Sequence, residues 1–124
     1  MNSISVYLNF LKEKGHPLSE INSGSDEIAL ATNDAIQALD LLRNNQVAIL
    51  GGDIFSEREN GSLIYAYQLW GSEYHCLNWY CDKEDNESSE EYAKRSYAIA
   101  KESIKVANDI ATRLNKKCYI VIVI

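Results

Sequence analysis

Basic residues are scarce in this chain: 12 lysines and arginines stand against 18 aspartates and glutamates, for a net charge of −6 and a pI of about 4.8. That balance argues against binding nucleic acid or an anionic membrane, both of which require a positive footprint. Long apolar runs are missing as well. The longest, Cys118 to Ile124, has seven residues, whereas a helix needs ~20 to cross a bilayer. Met1 to Lys14 contains no basic start followed by an unbroken apolar run and a small-residue cleavage site, so no secretory signal is read and a cytoplasmic location is expected. Cysteine is limited to Cys76, Cys81 and Cys118, an odd number for a chain expected in a reducing compartment, and no disulfide is expected.

What is present describes a folding chain. With 124 residues, 46% of them hydrophobic and 24% charged, the sequence fits one domain, residues 1–124, whose core needs no structural metal. Ile4, Tyr7, Leu8 and Leu11 recur at helical spacing, and Gly15 and Pro17 end that helix, which is placed at Ser3 to Lys14. Loop residues fill Leu18 to Glu27, and Ile28 to Ala31 reads as a short strand. Thr32 or Asn33 is suited to cap a second helix striped by Ala35, Leu39 and Leu42 and ending near Asn44 and Asn45. Val47 to Leu50 and Ile54-Phe55 read as strand pieces, with a bend at Gly51-Gly52. Asn60-Gly61 predicts a type I′ hairpin into an alternating strand, Ser62 to Trp70, followed by a third strand of a meander, Tyr74 to Cys81. Ser88 and Glu91 have the spacing of a capping box, and open a long helix whose apolar face combines Tyr92, Ile99, Val106, Ile110 and Leu114 with Ala93, Ala100, Ala107 and Ala111. Tyr119 to Ile124 is apolar throughout, as an interior strand would be. The expected fold is α+β: one antiparallel-rich sheet of about five strands, with the long C-terminal helix and two shorter helices packed on it.

Recognisable catalytic chemistry is thin. Gly51-Gly52-Asp53-Ile54-Phe55 is superficially similar to the GGDEF signature of cyclases that join two nucleotides. That chemistry needs a chelating acid where Ile54 stands, so a strand bend with a capping aspartate is the better reading. His75, Cys76 and Cys81 lack a fourth ligand and a diagnostic spacing, and strand alternation would send His75 and Cys76 to opposite faces; neither a metal nor a cofactor is expected. No nucleophile elbow, phosphate loop or dinucleotide fingerprint occurs. The acidic stretch Asp82, Glu84, Asp85, Glu87, Glu90 and Glu91 follows the aromatics Trp79 and Tyr80. It has two readings, a solvated loop feeding the positive end of a helix and a docking patch in which aromatics anchor a basic partner that acids steer.

Several of these residues form a larger pattern. Val47 to Phe55 with its Gly-Gly-Asp, then Asn60-Gly61, Asn78-Trp79-Tyr80-Cys81-Asp82, Glu91-Tyr92 and Arg95-Ser96 occur in an order and spacing that resembles the immunity protein 40 family of bacterial toxin systems. The resemblance spans about Ala35 to Ile110; Phe55 stands where the family pattern has Tyr, and no toxin-contacting residue can be carried over position by position. It implies a cytosolic antidote encoded beside a polymorphic or contact-dependent toxin, one that binds the toxin's C-terminal domain and blocks it; the acidic balance suits a basic nuclease as partner.

The expected function is therefore inhibition by occlusion, with Trp70, Trp79, Tyr80, Asp82, Glu84 and Asp85 as toxin contacts. Two rivals stand beside it: a small hydrolase using Asp53 and His75 across neighbouring strands, and a self-associating module pairing through an exposed strand edge.

Overall fold

The computed structural model describes residues 3–18, 25 and 27–124, so most of the loop expected over Leu18 to Glu27 lies outside the described residues. The helices α1 (Ser3–Lys14), α2 (Thr32–Asn44), the five-residue α3 (Ala66–Trp70) and the long α4 (Ser89–Leu114) accompany one antiparallel sheet. Its strands are β1 (His16–Pro17), β2 (Ile28–Ala31), β3 (Gly51–Glu57), β4 (Leu63–Tyr65), β5 (Trp79–Tyr80) and β6 (Tyr119–Val123), laid out in the order β1-β2-β6-β3-β4. Along its free edge β3 takes β5 opposite Gly51 and Gly52, and β4 opposite Phe55 to Glu57. This is the expected α+β architecture. The described residues give six strands in place of about five because the two-residue β1, at His16–Pro17 where no strand was expected, adds to the sheet.

The helix signals translate into structure with informative exceptions. In α1 Tyr7 is buried and Phe10 and Leu11 pack on the core, whereas Leu8 keeps 48% of its surface exposed, since the helix rests mainly on α2 and β2. The side-chain cap expected at the start of α2 is absent. β2 runs straight into the helix from Ala31, and the Thr32 hydroxyl donates instead to the Cys118 carbonyl (3.3 Å), fastening the junction to the segment that leads into β6. At the start of α4 the capping box is complete: Glu91 N–H donates to Ser88 Oγ (3.1 Å) and Ser88 N–H to Glu91 Oε1 (2.8 Å). At its other end Asn115 adopts φ +56°, and the Asn115 and Lys116 amides return to Thr112 and Ala111 in a Schellman turn that releases the chain into β6.

The inward face of α4 is narrower than the sequence suggests. Tyr92, Ala93, Ser96, Ala100, Ile104, Ala107 and Ala111 form the buried stripe, Ile99 and Ile110 pack against the core beside it as expected, and Val106 and Leu114 lie on its outer flanks. Small residues at intervals of three and four let α4 approach α2 and β3 closely, and the helices are locked by the Tyr97 hydroxyl donating to Asp40 Oδ1 (2.7 Å), with Arg43 over the same ring. Ser96 also serves the sheet. Its hydroxyl accepts the Ile49 N–H (2.9 Å) and donates to the Ala93 carbonyl (3.1 Å), which satisfies the buried backbone leading into β3.

The sheet has two unlike faces. Leu30, Ile54 and Ile120 face the helices and join the main core; Ala29, Phe55, Leu63, Tyr119 and Val121 face away and form a smaller cluster with Leu18. The bend expected at Gly51-Gly52 is corrected: both glycines lie inside β3, hydrogen-bonded to a strand on each side. A Cβ on Gly51 would sit 2.3 Å from the Trp79 carbonyl oxygen, and one on Gly52 would sit 2.2 Å from the Trp79 indole. The pair thus allows β5 to approach and gives Trp79 a place to lie.

Two further strand expectations are corrected. Only Leu63–Tyr65 of Ser62 to Trp70 is extended, after which the chain coils into α3 so that Trp70 Nε1–H can donate to buried Ser56 Oγ (3.1 Å). The first half of Tyr74 to Cys81 likewise belongs to a 3-10 helix, Ser72–Leu77, that places His75 and Cys76 together on the surface, and only Trp79–Tyr80 is strand. The Asn60-Gly61 hairpin forms, but Gly61 alone has positive φ (+88°); Gly61 N–H returns to Arg58 and Asn60 Oδ1 accepts the Ser62 N–H, the wider loop of a bulged hairpin in place of type I′.

Gly52→Ala should destabilise the protein by about 2–3 kcal/mol through overpacking, measured by urea denaturation. Combining it with Trp79→Leu should cost clearly less than the sum of the two changes, because the clash is with the indole. Strict additivity would mean that the glycine serves something other than the tryptophan.

Candidate functional site

The residues expected to meet a partner separate into interior and surface. Trp79 is 9% exposed and belongs to the core, pressed on Gly52, so it has little surface to present. Its register explains this: Trp79 is paired with Gly52, and Ile54, two residues further along β3 and so on the same side, faces the helices. Trp70 is half-buried, with its indole N–H bonded to Ser56 and its ring edge-on to Tyr74. Tyr80, one residue past Trp79, takes the opposite face and is 85% exposed. Asp82, Glu84 and Asp85 are exposed on the loop that follows.

That loop is pinned. Arg95, on the first turns of α4, donates through Nε to Glu87 Oε2 (2.6 Å), and through Nη2 to Glu87 Oε1 (2.8 Å) and to the Asp82 carbonyl (2.6 Å). Its Nη1 reaches the Cys81 thiol (3.3 Å), and the Tyr92 hydroxyl donates to the Cys81 carbonyl. A bidentate guanidinium–carboxylate pair fixes geometry as well as charge. The sequence-based alternatives of solvated loop and docking patch thus share one physical form, an acidic loop held at both ends with Asp82, Glu84 and Asp85 turned to solvent. The Arg95 hydrogen bond holds the Glu87 carboxyl down at about 2.

A second assembly, which the aromatic and acidic pattern did not single out, occupies the sheet face away from the helices. Phe55 stacks on Tyr65 (ring centroids 4.6 Å apart), Tyr65 on Tyr67 (5.5 Å), and His75 stands edge-on to Tyr67 (4.7 Å). Beside this row a hollow of about 270 Å³ is lined by Asp53, Tyr65, Tyr67, His75, Asn78 and Tyr80. β3 supplies Asp53, the β4–α3 junction the tyrosines, and the 3-10 turn His75. Asn78 is oriented by accepting the Ile54 N–H on its Oδ1 (2.8 Å). Burial pushes the Asp53 carboxyl pKa up. Asp53 and His75 therefore share one hollow, as the hydrolase reading requires; among the described residues its lining contains tyrosine hydroxyls but no serine, threonine or cysteine to act as the usual nucleophile.

A family model for immunity protein 40 matches residues 17–124, most of the chain. The chain belongs to the immunity protein 40 family. No curated protein and no solved structure gives a match. The family match extends beyond the Ala35 to Ile110 resemblance to include β2 and the whole of β6. Read onto this immunity-protein fold, several of the residues that carried the resemblance hold the framework. Gly51 and Gly52 accept β5, Asn78 ties β5 to Ile54, Tyr92 and Arg95 clamp Cys81 and the acidic loop, and Ser96 secures Ile49. Phe55 buries its ring against Tyr65, a contact that needs no hydroxyl. Among the described residues no helix is long and apolar enough to cross a membrane, and no group of three or more histidine, cysteine or acidic side chains is placed to hold a metal.

The clamp has a pH signature. Glu87 has a folded pKa of about 2, below its ordinary 4.5, so its contribution to stability is present above pH 4.5 and is lost as pH falls toward about 2. Urea denaturation of the protein and of Glu87→Gln should show a stability gap that is constant at neutral pH and closes across that window. A gap independent of pH would show that the carboxylate's charge is not what holds the loop.

Proposed function

We propose that this protein is a cytoplasmic bacterial antidote that binds the C-terminal domain of a polymorphic or contact-dependent toxin and inhibits it by occlusion. Membership of an immunity protein family supplies the class. The observation that carries the surface assignment is Tyr80, 85% exposed at the head of a loop that presents Asp82, Glu84 and Asp85 and is fixed by Arg95. A large aromatic side chain held out in water has no role in the core of the isolated protein, and such residues are preferred anchors of specific interfaces.

Charge supports a basic partner. The net charge of −6 and the acidic loop would draw a basic domain, such as that of a nuclease, and raise the rate of encounter. An occluding complex needs an interface of roughly 1,200–2,000 Å², so Tyr80 and the loop would be part of a wider contact. Trp70 and Trp79 act in this reading as supports beneath the surface. Pre-fixing the loop reduces the ordering cost of association.

Of the rivals, self-association through an exposed edge finds little ladder to extend: β1 has two residues, one of them Pro17, while β4 has three and β5 two.

Expression of the toxin domain encoded beside this protein should kill sensitive cells, and co-expression of the protein should rescue them and yield a complex that co-purifies. The association rate should fall about tenfold or more between low and high salt. Replacing Asp82, Glu84 and Asp85 together by serine should slow association with little change in dissociation, while Tyr80→Ala should chiefly speed dissociation. Rescue without a complex, or association indifferent to salt and to the triple substitution, would sink this reading of the surface.

A further inference from the structure

Asp53 is oddly placed for a residue that serves only the fold. It stands on β3 between Gly51 and Phe55, paired with Val121 of β6, and its side chain is half-buried. Among the described residues no salt bridge or hydrogen bond engages its carboxylate. The other described residues around the hollow are Tyr65, Tyr67, His75, Asn78 and Tyr80, with no lysine or arginine among them. A carboxylate removed from water without a cation is costly to the isolated protein, and the rise of its pKa is the signature of that cost. An asparagine would occupy the same volume without it.

The surroundings specify what would relieve the cost. Tyr65 and Tyr67 are stacked within 30° of parallel, so their rings form a continuous wall, with Phe55 backing Tyr65 on its other side. Ring faces attract cations, and a guanidinium is suited to such a wall because it is flat and offers paired N–H donors to a carboxylate. The local field is negative beyond Asp53 itself: after burial, the charges of Asp53 and Glu27 push the Tyr65 pKa up. The hollow, about 270 Å³, suits one side chain better than a drug-sized ligand. Exposed Tyr80 forms part of its rim, so the hollow adjoins the proposed toxin-binding surface.

We propose that the hollow receives an arginine side chain of the toxin, its guanidinium paired with the Asp53 carboxylate and lying against the rings of Tyr65 and Tyr67. The identity of the partner rests on the antidote reading; the chemistry of the hollow does not.

Two experiments separate these levels. In the first, the full chain is titrated with N-acetyl-arginine amide and, in parallel, with N-acetyl-citrulline amide, which has the same shape without the charge. Backbone and ring resonances of Asp53, Tyr65 and Tyr67 should shift saturably with the arginine compound, with a dissociation constant on the order of millimolar. Binding should be at least ~10-fold weaker for citrulline and for Asp53→Asn. In the second, the toxin complex formed by Asp53→Asn or Tyr67→Leu should dissociate about 10- to 100-fold more readily. The free Asp53→Asn protein should be no less stable than the parent, which a merely structural aspartate would not allow. Arginine binding that Asp53→Asn removes supports the site even where no toxin complex forms, in which case only the antidote reading falls. Equal shifts with citrulline, or a toxin complex whose affinity ignores both substitutions, would overturn the proposal.

Discussion

The contact on which the rest of the structure depends is the indole of Trp79 lying over the bare backbone of Gly52. It places β5 against β3, and from that placement follow the positions of the 3-10 turn before it and the acidic loop after it. Asn78 reinforces the join from one side by holding the Ile54 amide, and Cys81 N–H closes it from the other by donating to the Leu50 carbonyl at 2.8 Å. Because Trp79 fills the helix side of the sheet, Tyr80 is forced to the other side. One packing decision inside the core thus determines which aromatic ring is offered to solvent.

The helix layer and the sheet's outer face divide the work of the molecule. Small residues along α4, the Tyr97–Asp40 bond and the buried Ser56 and Ser96 hydroxyls bind its elements to one another. On the outer face the rings from Phe55 to His75 are packed against one another and still border open space, and Asp53 is left uncompensated among them. Natural proteins tolerate such local conflicts mainly where a surface must do something besides fold. The family signature mixes the two roles: Gly51, Gly52, Trp79, Arg95 and Ser96 hold the framework, while Asp53, Asn78 and Tyr80 border the hollow, whose aromatic wall of Tyr65 and Tyr67 lies outside the signature.

Much of the fold was legible in the sequence, and the limits follow a physical rule. Features set by neighbouring residues came through: the bounds of α1, the capping box at Ser88 and Glu91, the end of α2 and the all-apolar β6. Features set by distant contacts did not. Leu63, Tyr65, Tyr67 and Leu69 alternate as a strand would, but the Ser56 hydroxyl waiting for Trp70 favours a helix after Tyr65. Trp79 and Tyr80 look alike as candidate anchors, and only the register with Gly51 and Gly52 tells inside from outside. The vicinity of Asp53 and His75 was anticipated from neighbouring strands, although His75 arrives there on a 3-10 turn. Their aromatic surroundings were not, since the β3–β4 register that sets Tyr65 beside Phe55, and the turn into α3 that carries Tyr67, are fixed by contacts distant in sequence.

The position of β6 in the sheet has a consequence for how the chain is made. β6 lies between β2 and β3, yet it follows every other described strand and helix in chain order. While the protein is being synthesised, β2 and β3 therefore lack the strand that joins them, and the apolar rows that will become the interior stay uncovered. The contacts that complete the sheet link residues far apart in sequence, a feature that slows folding and prolongs the time for which sticky edges are exposed. Synthesis and folding are thus uncoupled in this molecule: the sheet cannot close vectorially, strand by strand, but assembles once its middle has emerged from the ribosome.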